Sequence, residues 1–172
     1  MKSNVRVAAP PQKPLLVYDG DCGFCTLWIN RWRCVTGDAV EYLPSQDPLI
    51  ADRFPEIPLE AYRTSVQLIE LDGSVHNGSE AVFLSLSRNP EFHWLLDIYQ
   101  VFPPFAHFSE WGYKFVAKHR PLFSIVTKLL WGRHVELPSY FLMRRSFLTC
   151  LGLIYLIAFV SLWVQISGLI GH

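Results

Sequence analysis

Leu15-Leu16-Val17-Tyr18-Asp19-Gly20-Asp21-Cys22-Gly23-Phe24-Cys25 runs from an unbroken apolar tetrad, through a glycine flanked by two carboxylates, into a Cys-x-x-Cys pair. A short apolar run without alternation suits a strand buried on both faces. The period then changes. Phe24, Leu27, Trp28, Trp32 and Val35 recur at helical spacing, and Asn30, Arg31 and Arg33 fill the polar positions. The cysteine pair therefore falls at a strand-to-helix junction. Its first sulfur lies at the helix N-terminus, where unpaired backbone N–H groups and the helix dipole favour a thiolate. The second lies three residues on, so both can share one face of the first turn and close a small disulfide ring.

Working outward, residues 15–19 are expected to form a central strand and 23–35 a helix, stopped by Thr36-Gly37-Asp38. Residues 40–43 read as a second strand closed by Pro44, and 47–54 as a short helix broken by Pro55 and Pro58. Residues 65–71 read as a third strand. Asp72-Gly73 signals a hairpin, with Val75-His76 returning antiparallel. A helix follows from Gly78-Ser79, with Ser79 as the expected N-cap. This order gives the fold class: α/β, a thioredoxin-like βαβ-ββα domain, with extra helices at about 94–101, 108–118 and 122–130. The aromatic-rich stretch that carries these helices is interrupted by charge too often to cross a membrane.

Composition adds an anchor. Of the 172 residues, 51% are hydrophobic and 17% charged, which is richer in apolar residues than an ordinary soluble domain. The excess concentrates at residues 147–170, which carry no charge, and roughly 20 such residues suffice for a transmembrane helix. A lipid bilayer is therefore an expected partner. Arg133, His134, Arg144 and Arg145 precede the span, so the positive-inside rule puts the preceding domain on the cytoplasmic face. Lys+Arg and Asp+Glu balance at 15 each, so no basic excess argues for nucleic acid. Residues 1–14 hold charges and prolines without an apolar core, and are expected to be a flexible leader rather than a secretory signal. The expected organisation is leader 1–14, domain 15–134, linker 135–146 and membrane helix 147–170.

The chemistry has rival readings. Four cysteines are too few for a disulfide-stapled scaffold. Cys34 and Cys150 are expected to pack as small hydrophobes. Zinc needs four ligands, and no second Cys or His pair accompanies Cys22 and Cys25, so no metal and no other cofactor is expected. A purely structural cysteine pair stays open. If the pair is redox-active, Cys22 attacks a substrate disulfide as thiolate and Cys25 resolves the mixed disulfide. Carboxylates at Asp19 and Asp21 oppose a thiolate nearby. Asp19, at the strand end, either accepts the Cys25 proton during resolution or is structural; Asp21 is expected to cap the helix.

Val17-Tyr18-Asp19-Gly20-Asp21-Cys22-Gly23-Phe24-Cys25 resembles the signature of the DCC-type (DUF393) thiol-disulfide oxidoreductases, a thioredoxin-like family. The hairpin followed by Gly78-Ser79-Glu80-Ala81, and the basic-aromatic stretch from Tyr113 to Arg120, fit the same family. The resemblance covers residues 15–134. It implies thiol-disulfide exchange through Cys22 and Cys25 with a protein or small-molecule disulfide or thiol as substrate. Residues 147–171 resemble the first membrane span of lipase maturation factor proteins. Thioredoxins carry a cis-proline before the third strand; here Arg63-Thr64 occupies that place. Thr64 or Ser65 is expected to offer backbone groups instead, which with Gly23 and Phe24 makes the candidate substrate-binding set. The expected whole is a membrane-anchored thiol-disulfide oxidoreductase of the protein-disulfide reductase type. The alternatives are the redox fragment of a multi-span assembly protein and a non-catalytic binding module.

Overall fold

A computed structural model describes residues 5–131 and 141–169 of the chain. Four strands, β1 (Leu15–Tyr18), β2 (Glu41–Pro44), β3 (Gln67–Ile69) and β4 (Val75–Asn77), form one sheet in the order β2-β1-β3-β4. β1 runs parallel to β2 and antiparallel to β3, and β3 pairs antiparallel with β4. This is the expected thioredoxin-like α/β arrangement, with β1 inside the sheet.

Alternation along β1 builds two cores, because successive side chains leave a strand on opposite faces. Leu15 and Val17 join Ile50, Phe54, Ile57, Tyr62, Ile69 and Val75 on one face. Leu16 and Tyr18 join Ile29, Val40, Tyr42, Val66, Leu68 and Ala81 on the other. The first core is covered by α2 (Pro48–Arg53) and α3 (Leu59–Thr64), the second by α1 (Gly23–Thr36) and α4 (Gly78–Leu86). α1 ends on Gly37 at φ 54°, a conformation open to glycine without steric cost.

Three features differ from expectation. α2 does end ahead of Pro55, but residues 59–64, for which no element was expected, form α3; Pro58 serves as its N-cap, and Tyr62 from its body is buried in the core. Part of the segment read as a leader is packed on the sheet edge. The Val7 N–H donates to the Gly73 carbonyl (2.9 Å), the Val75 N–H donates to the Val5 carbonyl (3.2 Å), and the Val7 side chain enters the first core. Third, Ser79 is not the N-cap of α4. Asn77 holds that position without a side-chain bond, and the Glu110 carboxylate accepts from Ser79 Oγ and from the Glu80 N–H.

The second half is helical: α5 (His93–Val101), α6 (Pro103–Lys118), α7 (Arg120–Trp131) and α8 (Phe141–Leu169). Within α8, Met143–Gln165 is long and apolar enough to cross a membrane, with a mean hydropathy of 2.3 and none of its peak window buried. The helix begins ahead of the expected residue 147, so Arg144 and Arg145 are helical, and Arg145 Nη1 reaches the Leu129 carbonyl of α7 at 3.4 Å. Half of the expected linker, residues 135–140, lies outside the described residues, and the other half, 141–146, is helical.

Candidate active site

The loop between β1 and α1 is held from below. Gln46 Nε2 donates to Asp19 Oδ1 (2.9 Å) and Asp21 Oδ2 (3.1 Å), while Gln46 Oε1 accepts from the Gly20 N–H (2.9 Å). One amide thus fixes three consecutive residues ahead of the cysteine pair. Gly20 is required there by close approach, since a Cβ would fall 2.8 Å from Pro44 Cβ and 2.7 Å from Gln46 Oε1. Asp21 is spent on this contact and does not cap α1. The N-cap is Cys22, whose sulfur accepts from the Cys25 N–H at 3.3 Å. The expected role of Asp21 is corrected accordingly: a thiol has taken the position a carboxylate usually fills.

Cys22 and Cys25 are both free thiols, and their sulfurs lie 2.7 Å apart with Cys25 placed to donate to Cys22. The Cys22 sulfur therefore receives two hydrogen bonds at a helix N-terminus. Cys25 is the proton-holding member. Burial pushes its thiol up to about 12, aided by the bond to Cys22 and the charges of Cys22 and Asp19, against the opposing pull of Arg120. Gly23 is exposed beside the pair, and Phe24 is half-buried, its ring in an edge-type contact with Trp28 at 6.4 Å between centroids. Cys34 and Cys150 are exposed, not packed as expected: the positions of both on their helices face away from the two cores.

The far wall comes from the helical half. Arg120 Nη1 lies 3.7 Å from Asp19 Oδ2, and its Nη2 donates to the Thr64 carbonyl at 2.9 Å. The Tyr113 hydroxyl accepts from the Val66 N–H at 3.0 Å, and burial raises this phenol to about 12. Thr64 ends α3 and Ser65 follows in extended backbone, its N–H donating to the Ala61 carbonyl. No cis peptide bond occurs among the described residues. Two depressions meet at Arg120, Tyr113 and Ala117. One, about 540 Å³, is almost wholly apolar and includes Phe24, Cys25, Trp28 and Phe123 in its walls. The other, about 980 Å³, is of mixed polarity and includes Thr64 and Ser65.

Sequence reasoning singled out Cys22, Cys25 and Asp19, and the structure brings these three together; it places Thr64 near them through Arg120. It missed Gln46, and it gave Tyr113 and Arg120 no role beyond a family-like stretch. Nothing local in the sequence marks Gln46, which reaches the loop only through the β1–β2 register.

Two free thiols one helical turn apart, at the exit of the buried central strand of a thioredoxin-like sheet, define a protein of thiol-disulfide exchange. The family follows from direct comparison. The model described as DCC1-like thiol-disulfide oxidoreductase matches residues 16–125, more than half of the chain, and the protein belongs to that family. It is a thiol-disulfide oxidoreductase. Comparison with curated proteins and with solved structures gives no significant match.

Proposed function

We propose that the protein is a membrane-anchored disulfide reductase in which Cys22 is the attacking sulfur and Cys25 the resolving one. The observation that carries this division is the asymmetry of the pair: Cys22 accepts hydrogen bonds from both the N–H and the thiol of Cys25, while burial keeps the proton on Cys25. Cys22 attacks a substrate disulfide and expels one thiolate. Cys25, once deprotonated, attacks the Cys22 sulfur and expels the second. Asp19 lies on the loop beside the pair, half-buried and contacted by Gln46 and Arg120, and serves as the proton acceptor for Cys25 in the second step. Gly23 and Phe24 flank the attacking sulfur, and Thr64 and Ser65 line the neighbouring cleft as substrate-binding residues.

α8 supports the anchor by its length, its hydropathy and the exposure of the apolar side chains within 143–165. Arg144 and Arg145 at its start favour a cytoplasmic position for the redox domain. Trapping tests the reading. Cys25→Ser should accumulate a mixed disulfide on Cys22 when the reduced protein meets a disulfide, resolved by peptide mapping, and Cys22→Ser should accumulate none. Adducts of equal yield on either remaining cysteine would sink the assignment. Protease access in sealed vesicles of known orientation tests the topology.

A further inference from the structure

We propose that the larger cleft, which meets the Cys25-lined depression at Arg120, Tyr113 and Ala117, binds a small disulfide bearing carboxylates, of which glutathione disulfide is the type. The inference rests on the redox reading above and names the substrate class of that site.

Charge carries the first part. The cleft is bounded by Arg63, Lys114, Lys118 and Arg120 against Glu80 and Glu110; Arg63 pairs with Glu60 and Arg120 lies 3.7 Å from Asp19, so the two lysines carry the uncompensated charge. The two acids are already committed inside the fold. Glu110 Oε1 accepts from Ser79 Oγ, from the Glu80 N–H and from the Tyr99 hydroxyl, and so fills the N-terminus of α4. Glu80 pairs with His76 at 3.2 Å. Lys114 and Lys118, one turn apart on α6, are exposed and make no ion pair among the described residues. Positive charge without a counter-ion, in a concave wall, attracts an anion.

Backbone geometry carries the second part. A polypeptide substrate would bind beside the thiols by adding a strand, which needs free N–H and C=O groups. Here the Thr64 carbonyl accepts from Arg120, the Ser65 N–H donates to Ala61, and the Val66 N–H donates to Tyr113. These three backbone groups ahead of β3 are taken up within the protein, two by the side chains of Arg120 and Tyr113 and one by the Ala61 carbonyl. A small molecule needs no such edge. The cleft, about 980 Å³, matches the upper end of the roughly 300–1,000 Å³ of small-molecule sites.

Arg120 joins cleft to chemistry: it stands in the cleft wall, 3.7 Å from Asp19, and acts electrostatically on Cys25. The step balances as the two cysteine thiols plus one disulfide giving the Cys22–Cys25 disulfide plus two small thiols. Two electrons pass to the substrate, and the two thiol protons end on the products.

The test is single turnover of the full-length protein in nonionic detergent, pre-reduced and then freed of reductant. Second-order rate constants are measured with glutathione disulfide and with neutral 2-hydroxyethyl disulfide. The ratio of anionic to neutral should fall about tenfold in Lys114→Gln/Lys118→Gln, hold in Lys114→Arg/Lys118→Arg, and fall with added salt in the wild type. An unchanged ratio in the glutamine variant would make the lysines a solvated face and overturn the proposal. A ratio insensitive to salt in the wild type overturns it equally, without need of any variant. If neither disulfide oxidises the wild-type thiols, the redox reading itself fails.

Discussion

The sheet half of the molecule and its helical half use apolar residues in opposite ways. In the first, Leu15, Leu16, Val17, Ile29, Leu68 and Ile69 have no exposed surface at all, and Thr36, Gln67, Ser79 and Ser85 are buried with them. In the second, α5, α6 and α7 bury Leu96 and Thr127, while Trp94, Phe108, Trp111, Leu122 and Ile125 are each more than half exposed. The first half is held by its own core. The second is held to it by a seam of specific contacts: Tyr113 on the Val66 N–H, Glu110 on the α4 N-terminus, and Arg120 on Asp19 and Thr64. The site lies on that seam. One half supplies the thiols and fixes their geometry; the other supplies the charged and phenolic groups that face them.

Paired truncations give the largest test of this contrast. Leu16→Ala should destabilise the protein by about 3 kcal/mol, since it empties a sealed position between α1 and the sheet. Phe108→Ala, at 68% exposure, should cost under about 0.5 kcal/mol. Urea unfolding in a nonionic detergent, followed by far-ultraviolet dichroism, measures both. Equal losses would mean that the helical half has a core of its own and would break the comparison.

Arg120→Gln probes the seam. It removes the contact to Asp19 and a charge-assisted bond to the Thr64 carbonyl, together about 1–2 kcal/mol. Because Arg120 opposes the rise of the Cys25 thiol, its loss should also leave Cys25 more firmly protonated and slow the resolving step. Hydrogen exchange should show α7 losing protection while β1 and β3 keep theirs. Uniform loss across both halves would place Arg120 in the global core instead of at a seam.

The two halves also differ in how much of them was legible in the sequence. β1 and α1 could be read because two periods meet at one point: an unbroken apolar tetrad and a 3.6-residue pattern. The cysteine pair sits at that meeting point, so its placement came with it. α3 escaped notice because its six residues are too few to show a period and Pro58 reads equally as a breaker or a cap. Val5-Arg6-Val7 alternates as a strand does, but three residues beside prolines carry too little pattern to weigh. The seam was not legible at all. Ser79 looks like a cap from its neighbours, and only the folded chain brings Glu110 to that helix end from α6. Arg120 and Gln46 are likewise defined by partners distant in sequence, Asp19 among them.

The smallest expected effect sharpens the comparison from inside the sheet half. His76 on β4 faces Glu80 on α4, with Nδ1 and Oε1 3.2 Å apart and both side chains more than two-thirds buried. The Glu80 hydrogen bond raises the imidazole above its ordinary 6.5, burial opposes it, and the charges of Glu80, Glu70 and Asp72 add to the rise. A histidine raised on folding stabilises the folded state fully below its unfolded value and loses that contribution as pH rises through its folded value. His76→Gln should therefore cost up to about 1 kcal/mol near pH 5.5 and close to nothing near pH 9. Urea midpoints for wild type and variant at the two pH values decide it. A deficit that is constant with pH would assign His76 a packing role. A deficit that grows with pH would contradict the direction of the shift, and with it the placement of Glu80 as the group that holds the imidazolium.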